Sequence, residues 1–190
     1  MDIPRLLVST VAVAGLAGCA THARPVTAPL PTPPQREGSS FTVSRAYSYL
    51  TLADLKRDSI AAVLVHTTGD RSVQPADEEG RSRIPATITR VQVRQVVWGH
   101  LSQRLISVRQ LGGAKLTSLD LPPVLSPDRD YVLLLKAFEF HPGVSTGEYY
   151  ITDDQGVFDA SDPAHLQRLS SQGDLPRQIS LPDLAAKLRS

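Results

Sequence analysis

Residues Ala86 to Trp98 alternate apolar side chains with Thr, Arg and Gln, the period-two pattern of a strand with one buried face. The phase of the alternation changes twice: Ile88 is even, Val91 and Val93 are odd, and Val96 and Trp98 are even again. A regular strand keeps one phase, because a slip of one residue carries every side chain to the opposite face. An extra residue at a β-bulge absorbs the slip and bends the strand. Strands that are long and bent in this way build small barrels. The run therefore predicts a mainly β chain forming a small barrel rather than a flat sheet.

The flanking segments fit that class. Thr51-Leu52-Ala53-Asp54 is a capping box, with the Thr oxygen placed to hold a free backbone N–H and the acid three residues on, so a short helix starts there with Leu52 and Leu55 on one face. Ile60 to Val65 reads as a buried strand ended by the turn residues Thr68-Gly69-Asp70, and Asp70 to Ser82, without periodicity, reads as an exposed hairpin loop. Leu105 to Leu111 is a further strand, followed by a loop marked by Pro122, Pro123 and Pro127. Tyr131 to Phe140 is continuously apolar, as expected of a central strand buried on both faces, and stops at His141-Pro142-Gly143. Tyr149 to Thr152 and Gly156 to Phe158 flank Asp153-Asp154-Gln155-Gly156, which has hairpin-turn chemistry. Ser180-Leu181-Pro182-Asp183 caps a final helix whose Leu181, Leu184, Ala185 and Leu188 form a stripe that packs on the barrel.

Before the barrel, two segments carry a different signal. Arg5, the apolar run Leu6 to Leu16 and the small residues Ala17-Gly18 have the layout of an export signal, too short to span a bilayer. Leu16-Ala17-Gly18-Cys19 resembles the bacterial lipobox. The resemblance implies that residues 1–18 are removed and that Cys19 becomes a lipidated first residue, holding the protein on the extracytoplasmic face of a cell membrane. Two acyl chains suffice for stable anchoring. Residues 19–47 hold Pro25, Pro29, Pro31, Pro33 and Pro34 and read as a tether, in which proline favours an extended path of about 3.1 Å per residue. Residues 48–190 form the domain.

Cys19 is the sole cysteine, so the domain has no disulfide and stands on its apolar core. Lys and Arg number 20 against 19 Asp and Glu, and this near-balance argues against a nucleic-acid partner, which selects a basic face. The arginines at 71, 90, 94, 104 and 109 read as scattered, solvated strand and loop positions.

The order Leu52-Ala53-Asp54-Leu55, Ala62-Val63-Leu64-Val65, Val91 to Gly99, Ile106 to Gly113, Tyr131 to Leu135 and Gln155-Gly156-Val157-Phe158 resembles a widespread type of exported bacterial domain. More distantly it is similar to the netrin and metalloprotease-inhibitor (TIMP-like) modules, which are OB-fold barrels, and the resemblance implies a small OB-like β-barrel, closed or partly open. In those inhibitors an amino-terminal cysteine chelates the target's zinc. Cys19 has no Cys-x-Cys partner and is lipid-modified on the lipobox reading, so zinc-directed inhibition does not transfer.

No nucleophile elbow, His-Glu-x-x-His, Cys-x-x-Cys pair or glycine-rich phosphate loop is present, and the expectation is a non-enzyme without a cofactor. His66, His100, His141 and His165 are isolated in sequence and read as structural or exposed. Asp153 to Asp162 is the densest acidic segment, but it lacks EF-hand spacing and is explained by turn chemistry, with Asp162-Pro163 opening a small helix. Of Tyr149 and Tyr150, neighbours on a strand point to opposite faces, so one belongs to the core and the other to the rim. The leading expectation is a module that meets an envelope protein or polysaccharide through loops on a rigid barrel. Asp77, Glu78, Glu79 and Arg81 in one loop, with Lys115 and Asp128 in and beside the loop after Leu111, are the candidate contact residues. The alternatives are a loop-mediated inhibitor of an extracytoplasmic protease and a hydrolase with a dispersed site around His141, His100 or Asp154.

Overall fold

The computed structural model describes Tyr49 and residues 51–82, 84–112, 124–170 and 175–190. The lipobox-like segment, Cys19, the tether and Lys115 lie outside the described residues. The helix α1 (Leu52–Asp58) is followed by strands β1 (Ala61–Pro75), β2 (Pro85–Gly99), β3 (Leu105–Leu111), β4 (Asp130–Glu139) and β5 (Ser145–Ile151). A 3-10 turn at Asp154–Gly156 leads to the short strands β6 (Val157–Asp159), β7 (Leu166–Arg168) and β8 (Gln178–Ile179), and α2 (Leu181–Arg189) ends the chain.

The chain is mainly β, with one short helix near each end. The strands run β1-β2-β3-β5-β4, and β1 also pairs with β4, so these five close a ring in the OB-like order. Only β3 and β5 are parallel within it. The ring interior is filled by Ala61, Val63 and Val65 of β1 and by Tyr131, Leu133 and Leu135 of β4, together with Val91, Ile106, Val108, Tyr149 and Ile151. The alternate residues Ala62, Val132 and Leu134 face outward into a second core under the helices, with Leu55, Val97, Phe158, Leu184 and Leu188. Strand β4 is thus buried on both faces over Tyr131–Leu135, as its unbroken apolar run required.

Both helix caps follow the sequence. The Thr51 hydroxyl oxygen accepts from Asp54 N and the Ser180 hydroxyl oxygen from Asp183 N, each at 3.2 Å. In each box the hydroxyl also donates to the acid, at 2.8 and 2.6 Å. Leu184, Ala185 and Leu188 are the buried positions of α2.

Two bulges are present in β2, both after Val93 near the second change of phase; at the first change, between Ile88 and Val91, β2 carries no extra residue and the irregularity lies in β1 at Thr68–Asp70. Ala62 pairs with Trp98 and Val63 with Val96, leaving Val97 extra; Leu64 pairs with Gln95 and Val65 with Val93, leaving Arg94 extra. The extra residue Val97 turns into the helical core while Val96 is exposed, so the apolar position there is Val97 rather than Val96.

Four sequence expectations are corrected. Thr68-Gly69-Asp70 does not end β1: it is an irregularity between Thr67↔Val91 and Arg71↔Thr89, after which the strand runs on to Pro75↔Pro85. The loop expected over Asp70 to Ser82 contracts to residues 76–84 at the tip of a long hairpin. The segment Asp153–Gly156 does not join a hairpin. Strands β5 and β6 lie end to end along one edge of β4, Ile151 opposite Leu135 and Val157 opposite Leu133, and the 3-10 turn makes the offset between them. Asp162-Pro163 opens a turn, not a helix, in which the Asp162 carboxylate accepts from Ala164 N at 2.9 Å.

Candidate functional site

Arg109 is the hub of the far end of the ring. It lies on β3 opposite Ile88 of β2 and Tyr150 of β5, and its side chain is 4% exposed. A buried guanidinium requires a partner for its charge and acceptors for its donors. Arg109 Nε donates to Glu148 Oε2 at 2.6 Å, and Nη2 and Nη1 approach Gln74 Oε1 and the Pro75 carbonyl at 3.4 and 3.5 Å. The cation also sits over the rings of Phe138, at 4.6 Å, and Phe140, at 5.4 Å. One residue of β3 therefore gathers the β1–β2 hairpin arm, the end of β4 and the start of β5. The expectation of a solvated Arg109 is overturned.

Glu78 and His141 tie the same two hairpins at their tips, His141 Nε2 lying 2.8 Å from Glu78 Oε2. Beside this contact the end presents Asp77, Glu79 and Glu139 together with two exposed apolar side chains, Val73 at 64% and Val144 at 59%. Asp77 shapes the tip: its carboxylate accepts from the backbone of Arg81 and Ser82 at 3.1 and 2.8 Å. Glu79 pairs with Arg81 at 3.5 Å on the surface.

No family model, curated protein or solved structure matches the chain. What the site can do follows from its own chemistry.

Of the expected contact residues, Asp77, Glu78, Glu79 and Arg81 are brought together at the tip. Asp128 is elsewhere, in the turn that crosses β1 at Thr67; it takes a left-handed conformation with φ of 52° and donates its N–H to the Thr67 carbonyl. That turn is fastened by the Thr67 hydroxyl, which donates to Ser126 O at 2.7 Å, and by Arg71, whose guanidinium donates to Leu125 O. Asp128 is thus a turn residue separate from the hairpin tip.

A second feature adjoins Arg109. Strands β3 and β5 pair at three positions only, Ser107↔Glu148, Val108↔Tyr149 and Arg109↔Tyr150. Beyond them the strands part around a cavity of about 270 Å³ lined by Arg109, Gln110, Leu111, Lys136, Tyr150, Ile151 and Thr152. Tyr149 is core and Tyr150 is half-buried at the rim, as strand alternation required. Burial, with help from Glu148 and against Arg109, pushes the Tyr150 hydroxyl above its usual range, so it stays protonated at neutral pH. Lys136 lies 6.0 Å from the Tyr150 ring centroid.

Two of the remaining histidines, His66 and His165, have local carboxylate partners. His66 Nδ1 is 2.8 Å from Asp130 Oδ1, His165 Nδ1 is 2.8 Å from Asp162 Oδ2, and His100 is exposed. Asp153 caps Gln155 N at 3.0 Å, and Asp154 accepts the Ser170 hydroxyl at 3.1 Å. Among the described residues no group of three or more His, Cys, Asp or Glu is placed to hold a metal ion.

Sequence reasoning missed Arg109, Glu148, Phe138, Phe140 and Lys136 because they lie on or directly after three different strands and become neighbours only when the ring closes. The one local signal was phase: with Ile106 and Val108 inside, Arg109 falls on the opposite face, yet the sequence does not say what covers that face.

Proposed function

We propose that this protein is a lipid-anchored, extracytoplasmic module that binds an envelope protein through the paired hairpin end of its ring. The lipobox-like Leu16-Ala17-Gly18-Cys19 and the proline-rich residues after it support an anchored domain held away from the membrane. The observation that carries the binding reading is the fastening of two hairpins into one surface, by Arg109 at the base and by Glu78 with His141 at the tips. Hairpin tips are ordinarily mobile, and ordering them on binding costs affinity. Here the cost is met in the free protein. The same surface combines acids at 77, 79 and 139 with exposed Val73 and Val144, which suits a protein partner with cationic and apolar groups better than a neutral polysaccharide.

The test is chemical crosslinking in intact cells of the tagged full chain, with the partner identified by mass spectrometry. The wild type is compared with Cys19→Ala and with the pair Val73→Ser and Val144→Ser. One partner recovered with wild type and lost in both variants supports the proposal. Equal recovery with the double valine variant removes the hairpin end from the account, and equal recovery with Cys19→Ala removes the anchor.

A further inference from the structure

We infer that the open seam between β3 and β5 is a second binding site, taking a small carboxylate with an apolar body. The geometry begins with an unmade rung. Gly112 N donates to Pro85 O, toward β2, and Thr152 N donates to Leu134 O, toward β4. Main-chain groups alternate sides along a strand, so those of Leu111 and Ile151 point at each other across the seam. The parallel register stops at Arg109↔Tyr150, one step short of joining them. Among the described residues the register leaves Leu111 N–H as a donor and Ile151 C=O as an acceptor, on two residues that line the 270 Å³ cavity.

The charge of the cavity selects the ligand. Arg109 is neutralised by Glu148 at 2.6 Å, and its other donors are directed to Gln74 and Pro75. Lys136 Nζ lies 6.0 Å from the Tyr150 ring centroid; its charge reaches the Asp58 carboxylate, but among the described residues it forms no ion pair within 4.0 Å. One cation without a close ion-pair partner and one N–H donor match a carboxylate, with its single charge and planar acceptors; a phosphate brings closer to two charges and calls for more donors. Leu111 and Ile151 are the apolar residues of its lining, and Tyr150 keeps its proton to donate. The remaining polar side chains are engaged elsewhere. Gln110 Oε1 accepts from Leu125 N at 3.2 Å, and the Thr152 hydroxyl pairs with Ser59 at 2.7 Å. The volume admits one apolar residue, so the ligand is either a free small acid or the terminal residue of a peptide; both present the same carboxylate to the same donors.

The test is titration of the full chain, followed by amide chemical shifts and calorimetry, with N-acetyl-leucine, its carboxamide, and a short leucine-terminated peptide in free-acid and amidated forms. The inference predicts that a free-acid probe shifts the Leu111 and Ile151 amides and that the matching amide binds roughly ten-fold more weakly or worse, the loss expected for a charge-assisted hydrogen bond. Lys136→Gln should weaken the free acid by a similar factor and leave the amide unchanged. Binding of the acid alone identifies a small-molecule source, and tighter binding of the peptide acid identifies a chain terminus. Equal binding of acid and amide, indifference to Lys136→Gln, or no shift at Leu111 at about 1 mM probe overturns the inference. Val73→Ser with Val144→Ser should leave carboxylate binding intact, so failure here and failure of the hairpin surface are read separately.

Discussion

Arg109 and Glu148, on neighbouring parallel strands, form a 2.6 Å ion pair whose side chains are 4% and 19% exposed, and the guanidinium is enclosed by Phe138 and Phe140. An ion pair this enclosed adds little net stability against an apolar replacement of both partners, but loss of one partner strands the other. The pair therefore acts chiefly as a clasp. Arg109→Met should destabilise the domain by about 2–3 kcal/mol in urea unfolding. Adding Glu148→Gln should recover part of that loss, with a coupling of about 1 kcal/mol or more. Hydrogen exchange at Arg71–Gln74 should accelerate in the single variant, because those residues are exposed throughout and lean on Arg109.

The outer contact behaves differently. Glu78 and His141 are more than half exposed, and such pairs are worth about 0–1 kcal/mol. His141→Ala should change global stability by less than about 0.5 kcal/mol. Partner capture should fall without a change in unfolding midpoint, and a shift in midpoint comparable to that of Arg109→Met would contradict the division of labour.

At the opposite end of the ring, Gly99 has φ of 78°, and a Cβ built on it would lie 2.2 Å from the Ile60 carbonyl oxygen. The close approach is main chain against main chain, where neither side can swing away. Gly99→Ala should cost roughly 3 kcal/mol, from left-handed strain together with the clash. Gly143→Ala, also at positive φ but with nothing within 4 Å, should cost only the conformational part, about 1 kcal/mol. Thermal unfolding of the two variants separates the terms.

Tyr49 gives the alkaline dependence. Burial, then its 2.8 Å hydrogen bond to Asp58 and the charge of that carboxylate, push its pKa from 10.0 up to about 12. The unfolded chain loses this proton first as pH rises. The contribution is therefore complete below pH 10 and is lost as pH climbs from 10 toward about 12. Tyr49→Phe removes the hydrogen bond and should lower stability by about 1 kcal/mol at pH 8. It should also fall less steeply than wild type above pH 10, which urea titrations at stepped pH would measure.

The parts of this fold legible in the sequence are those in which a local pattern has one physical meaning. The second phase change in Ala86–Trp98 marks the bulges at Arg94 and Val97, and the apolar run at Tyr131–Leu135 is buried on both faces, both as strand geometry requires; the first change, at Ile88 to Val91, has no bulge in β2 and faces an irregularity in β1. The capping boxes at Thr51 and Ser180 are equally local. Arg71–Pro75 was illegible because neither of its faces is buried, so a paired strand there has the composition of a loop. Strands β7 and β8 span three and two residues, too few to show a period. The hairpin turn expected at Asp153–Gly156 had the right chemistry and the wrong partner strand, since turn residues specify a local bend and not what lies beside it. At the candidate site, Glu78 and Asp77 were visible as exposed acids, whereas Arg109 became meaningful only once β3, β4 and β5 were adjacent.

The most direct test of the account places a photo-crosslinking amino acid at position 144, at the hairpin end, and separately at position 189, at the end of α2, in the full chain expressed in its own cells. The account predicts one discrete adduct from position 144, none from position 189, and loss of the adduct when Cys19→Ala releases the domain. The same adduct from both positions, or one from 189 alone, would contradict the assignment of the hairpin end as the binding surface.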